Sequence, residues 1–118
     1  MRVEVITIKG EYMKIYKKLV RDFVPMMINA ANEKAITRIL TDDKEYEQEL
    51  CKKMQEELNE YFQSGDIIEL VDLGEVMHAL LDLKGVSIQH YQELRLQKLH
   101  ERGSYKKRMF LESVEKLK

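Results

Sequence analysis

Between Glu56 and Asp72 the chain reads EELNEYFQSGDIIELVD, and four of its acids fall at helical spacing on either side of a short turn. Glu57 and Glu60 are i, i+3 neighbours, as are Glu69 and Asp72, so each pair projects from one side of its own helix. If the helices joined by Gln63-Ser64-Gly65-Asp66 lie antiparallel, the carboxylates converge. Converging carboxylates repel one another unless protons or cations intervene. A cluster of oxygen donors with no cysteine suits the hard cations Mg2+ and Mn2+, and Mg2+ commonly completes its octahedron with substrate phosphate oxygens. Hydrolysis of a phosphoester or phosphoanhydride is the chemistry such a cluster supports.

Each acid also has a structural reading. Glu69 follows Asp66 by three residues, the spacing of a capping box, so its carboxylate can serve the helix N-terminus. Glu56 and Glu57 can form a solvated face, with Lys52 or Lys53 as a helix-surface partner for Glu56. Asp72 has no such capping role, and it shares a helical face with Leu73, Val76 and Leu80. A carboxylate on that face is costly unless paired, protonated or bound to metal.

The elements that must position these acids follow from periodicity. Asp42 and Glu45 have capping-box spacing and open a helix to about Gln63, with apolar residues at Leu50, Met54, Leu58, Tyr61 and Phe62. Glu57 falls within that apolar stripe, beside Met54 and Tyr61, and Glu60 lies at its flank. Gly65 ends the helix and Asp66 caps the next, Ile67 to Leu83, which is apolar on most sides and is expected to be the most buried. Gly85 ends that helix, Ser87 caps another through about Arg102, and Gly103 stops it.

Ahead of these, Leu19 to Asn32 has a helical pattern, beginning near Phe23 with Asp22 as N-cap and Pro25 in the first turn. Ala35 to Leu40 reads as a short strand or extended connector, with Phe110-Leu111 of the tail able to pair near Ile39. Met1 to Gly10 has partial alternation at Val3, Val5 and Ile8 and can form a short edge strand. Codons for Lys9-Gly10-Glu11 can also spell a purine-rich ribosome-binding sequence just before Met13. Residues 1–12 are therefore expected to be an extension, and 13–118 the domain. The expected fold is all-α, about four helices with minor extended segments.

Composition narrows the function. With 118 residues and 44% hydrophobic content, one compact domain with a real core is expected, leaving apolar surface for a partner. Lys+Arg 20 and Asp+Glu 21 nearly cancel to a net charge of -1, so nothing in bulk draws the chain to nucleic acid or anionic membrane. The single cysteine, Cys51, excludes an intrachain disulfide and a cysteine-based zinc site and fits a reducing compartment, so a cytoplasmic location is expected. No window is long and apolar enough to span a bilayer. His78, His90 and His100 lack mutual ligand spacing, and no Gly-rich phosphate loop is present.

The motif Glu56-Glu57-Leu58-Asn59-Glu60 followed by Glu69-Leu70-Val71-Asp72 has the form E-E-x-x-E then E-x-x-D. It resembles the metal-binding signature of the all-α NTP pyrophosphatases of the MazG-like superfamily, which includes phosphoribosyl-ATP pyrophosphohydrolase-like proteins. The run Tyr16 to Pro25 (YKKLVRDFVP) is similar to the K-L-V-R-D-x-I-P block of a small subgroup. Arg38-Ile39-Leu40, Asp72 to Val76, Lys98 with Glu101 to Tyr105, and Arg108 to Glu112 occur in the same order there, so the resemblance covers about Met13 to Glu112. Eight residues separate Glu60 from Glu69, fewer than in many members. Phe23 stands where the subgroup often carries Lys and Ser104 where it often has Gly; the first removes a phosphate contact.

The resemblance implies cleavage of a nucleoside triphosphate between its α and β phosphates, giving a nucleoside monophosphate and pyrophosphate with Mg2+ present. By it, Glu57, Glu60, Glu69 and Asp72 are the metal ligands, and Glu56, with Glu57, serves the catalytic step by orienting or deprotonating water. Arg21, Lys98, Arg102 and Arg108 become candidates for phosphate contacts, with a salt bridge to Asp22 or Glu101 or a solvated helix end as the plain alternatives. A homodimer or higher homo-oligomer is expected, because a site on two helices with such apolar faces needs neighbouring helices. The rivals are a non-catalytic helical module that dimerises through its Leu- and Met-rich faces, and a nucleic-acid binder using Lys98 to Arg108, which interleaved acids and few aromatics disfavour.

Overall fold

The computed structural model of the chain describes residues 4–8 and 10–118. The fold is all-α, with four helices among the described residues, α1 Val24–Ala30, α2 Asp43–Ser64, α3 Ile67–Leu83 and α4 Ile88–Arg102. One hairpin precedes them, β1 Glu4–Ile8 and β2 Glu11–Ile15, antiparallel with Ile6 opposite Met13. The strand expected within the first ten residues is therefore present, and residues 11–15 supply its partner. Met13 lies in the middle of β2.

α1 begins near Phe23 as expected, but its cap differs and it ends at Ala30, short of Asn32. Asp22 is not its N-cap: Phe23 holds that position with no side-chain bond, and Pro25 sits in the first turn. A backbone turn, Val24 N–H to Arg21 C=O at 3.0 Å, leads the chain into the helix and takes the place of a cap. At the other end Asn32 adopts φ 63 and Glu33 N–H reaches Ile28 C=O at 3.3 Å, a Schellman-like closure that stops the helix before Asn32. Residues 33–42 form a connector with no strand, the second of the two forms expected for Ala35 to Leu40, and the tail from Ser104 has no strand at Phe110-Leu111.

The α2–α3 hairpin is the body of the first unit, Met1–Gly85. Asp42 caps α2 by accepting the Lys44 N–H at 3.0 Å, but Glu45 does not close the expected box. Its carboxylate instead takes both terminal nitrogens of Arg38 at 2.9 Å. At the far end Gly65, φ 65, donates its N–H to Tyr61 C=O, Ser64 Oγ accepts the Asp66 N–H, and Asp66 caps α3 by accepting from Ile68. Two residues thus reverse the chain, and Lys84 at the end of α3 meets Glu47 near the start of α2 at 2.9 Å, as antiparallel helices require.

The core is small. Leu50 and Val76 are the buried hydrophobics among the described residues, at 3% and 7% exposure. The helix expected to be the most buried, α3, is enclosed along one side only: Val76 is buried, while Ile67, Ile68, Leu70 and Val71 of its first turns are exposed, because α2 is the one element among the described residues packed against it. In the second unit, Val86–Lys118, Ser87 caps α4 by accepting the His90 N–H, and Gly103 ends it with its N–H on Leu99 C=O, both as expected.

Gly65 and Gly74 separate backbone strain from crowding, since a Cβ at either meets nothing within 4 Å. Gly65→Ala, at φ 65, should cost about 1 kcal/mol, whereas Gly74→Ala, inside α3, should add about 0.5–1 kcal/mol. Urea unfolding midpoints moving in opposite directions are the expected outcome.

Candidate metal centre

The turn at Gly65-Asp66 brings the second half of α2 against the first turns of α3, and three acids meet there. One carboxylate oxygen from each of Glu57, Glu69 and Asp72 lies within 4.8 Å of the others. Glu57 comes from α2, and Glu69 and Asp72 stand one turn apart on α3. Glu57 is 6% exposed, the buried charged residue of the described chain, and its Oε2 has no hydrogen-bond partner. Its Oε1 is 3.4 Å from Lys53 Nζ, an i, i+4 neighbour.

The electrostatics match the crowding. Burial pushes the Glu57 carboxyl above its ordinary range, the negative charge of Glu60 adds to that, and Lys53 opposes it. Removal from water likewise raises Glu69, followed by a shared hydrogen bond with Glu60 and the charges of Glu60 and Asp72. Glu60 stands outside the trio but adjoins two of its members, so all four expected ligands belong to one electrostatic cluster. The structure also removes the capping role open to Glu69, since the Asp66 N–H that a capping box would use donates to Ser64 Oγ at 3.1 Å.

The donor set fits a divalent cation. All three donors are carboxylate oxygens, the ligand type that hard divalent cations such as Mg2+ take, and they lie close enough together to share one ion. The orphaned Glu57 Oε2 is an acceptor with an unfilled bond.

The other predicted residues fall into three places. Glu56 lies outside the trio, 17% exposed, with Lys18 and Lys53 each 3.5 Å from its carboxylate. The partner foreseen among neighbouring lysines is thus Lys53, while Lys52 turns to Glu49 at 3.0 Å. Arg21 does not pair with Asp22; its Nη2 donates to Asp72 Oδ1 at 2.7 Å. Lys98, Arg102 and Arg108 belong to the second unit, where all three are exposed, Lys98 and Arg102 one turn apart on α4 and Arg108 in a turn at φ 56. Of two shallow depressions on α2, one is bordered by Lys44 and Lys52 and the other by Lys52, Glu56, Glu60 and Gln63; neither includes Glu57, Glu69 or Asp72.

Sequence reasoning missed Lys18 and the second contact of Lys53. The i, i+4 spacing of Lys53 and Glu57 was a readable signal. Lys18 and Glu56 are 38 residues apart, and no local pattern announces that pair. Comparison with known proteins returns no match: no family model fits the chain, and no curated protein or solved structure is significantly similar to it.

Just above the ordinary glutamate range, folded Glu57 holds a proton that the unfolded chain has released, so its contribution to stability falls as pH rises through the raised folded value. Glu57→Gln removes that loss. With a chelator present, the variant should match wild type in acid and become the more stable of the two as pH rises to neutral, measured by thermal unfolding across pH.

Proposed function

We propose that this chain is a metal-dependent nucleoside triphosphate pyrophosphohydrolase of the MazG-like type. It cleaves between the α and β phosphates to release a nucleoside monophosphate and pyrophosphate, an activity suited to house-cleaning of the nucleotide pool. The observations that carry this reading are the convergence of carboxylate oxygens from Glu57, Glu69 and Asp72 and the buried Glu57 Oε2, which has no protein partner. The motif spanning Glu56 to Asp72 and the YKKLVRDFVP run add to it.

In this reading Glu57, Glu69 and Asp72, with Glu60 beside them, hold Mg2+, for which Mn2+ substitutes. The ion supplies Lewis-acid polarisation of phosphate oxygens. The raised Glu57 and Glu69 carboxyls give up their protons when a cation is held. Glu56, fixed by Lys18 and Lys53, orients or deprotonates the attacking water. Arg21, which stands on Asp72, neutralises phosphate charge that the ion leaves uncovered.

The site is completed by a second copy of the chain. Supporting this, Phe62, Ile67, Ile68 and Val71 flank the α2–α3 turn with more than half of their surface exposed, and a lone helix pair cannot cover them. The exposed thiol of Cys51 fits a reducing compartment, and we place the activity in the cytoplasm. The same exposed faces favour one alternative, a helical module that dimerises without catalysis.

A panel of nucleoside triphosphates with Mg2+ separates the two. Hydrolysis should release pyrophosphate and a monophosphate in equal amounts, and Glu69→Gln or Asp72→Asn should lower kcat by about a hundredfold or more. A chain that dimerises and releases no pyrophosphate from any triphosphate is the non-catalytic module.

A further inference from the structure

Two cations three residues apart, Lys18 and Arg21, land on different helices of the hairpin. Lys18 Nζ is 3.5 Å from Glu56 Oε1 on α2, and Arg21 Nη2 is 2.7 Å from Asp72 Oδ1 on α3. Between them Leu19 and Val20 are half-buried, so the segment is seated by apolar contact as well as by charge. The segment therefore straps α2 to α3 beside the acid trio, and one of its two anchors is a member of that trio.

The two anchors differ in how firmly they hold. Lys18 and Glu56 are 22% and 17% exposed, and Lys53 reinforces Glu56 from the same helix. Arg21 and Asp72 are 55% and 32% exposed, so water and salt screen their pair and it is cheap to break. Asp72 is also the one member of the trio whose carboxylate accepts a short hydrogen bond from a guanidinium, whereas the buried Glu57 has an oxygen with no partner at all. A divalent ion held by the trio draws on the same Asp72 carboxylate and repels the guanidinium.

Building on the metal-site reading, we propose that Arg21 is a displaceable internal counter-ion that competes with the divalent cation for Asp72. Ion binding breaks the Arg21–Asp72 pair while Lys18 keeps the strap on α2. The released guanidinium stays tethered close to the ion, where a phosphate group is its natural next partner. Arg21 thus sets the affinity of the site for its cation and couples ion loading to phosphate recognition.

The test is a Mn2+ titration of the full chain without nucleotide, following free Mn2+ by electron paramagnetic resonance, for wild type, Arg21→Gln, Arg21→Lys and Lys18→Gln. Arg21→Gln should bind Mn2+ about three- to tenfold more tightly than wild type. Arg21→Lys, which keeps the charge and loses the planar fork, should fall between them, and it serves if the Gln variant does not fold. Lys18→Gln, which leaves the Asp72 pair in place, should stay within about twofold of wild type. Unchanged or weaker Mn2+ binding in Arg21→Gln, or equal tightening in Lys18→Gln, would overturn the competition while leaving the metal site intact. No Mn2+ binding by wild type or any variant would overturn the metal site and the competition together.

Discussion

A carboxylate buried between two helices constrains everything else in the first unit. Glu57 is nearly inaccessible, and one of its oxygens has no protein partner. Burying a charged acceptor without compensation costs several times what one ordinary hydrogen bond contributes. Lys53 approaches one oxygen, while Glu60 and Asp72 raise the cost by adding negative charge nearby. The tight turn at Gly65-Asp66 holds this arrangement in register, since it sets which turn of α3 faces which turn of α2. A helix pair that needed only stability would place an apolar residue at position 57.

The hairpin is legible in the sequence because its signals are local. Asp42, Gly65, Asp66, Ser87 and Gly103 each act within a few residues of the helix end they define, and all five occupy the positions their chemistry predicts. The convergence of Glu57, Glu69 and Asp72 is also readable, since i, i+3 spacing and a short antiparallel link leave little freedom. Legibility fails where a long-range partner competes with a local one. Glu45 and Glu69 both have capping-box spacing, yet Arg38 takes the first and the acid cluster takes the second. Asp22 offers a cap that a backbone turn from Arg21 makes unnecessary. Arg21 itself crosses 51 residues to reach Asp72, and helical periodicity carries no information about such a contact.

Burial shows the same division. Periodicity identifies the apolar faces of α2 and α3, but it does not say how many neighbours will cover them. One chain of the described unit covers one side of α3, and Ile67, Ile68 and Val71 face away from any core. Those residues and the acid cluster lie along the same first turns of α3, so whatever covers the apolar side is bound to stiffen the acidic one. In the proposed dimer, site and assembly are therefore coupled through a single helix.

The central claim is that Glu57, Glu69 and Asp72 hold a divalent cation. A crystal structure of the full chain grown with Mn2+, with data collected at the manganese absorption edge, tests it most directly. The account predicts an anomalous peak within bonding distance of carboxylate oxygens from all three residues, with Glu57 Oε2 engaged. A map with no peak there, and with protons or water satisfying Glu57 in its place, would contradict it.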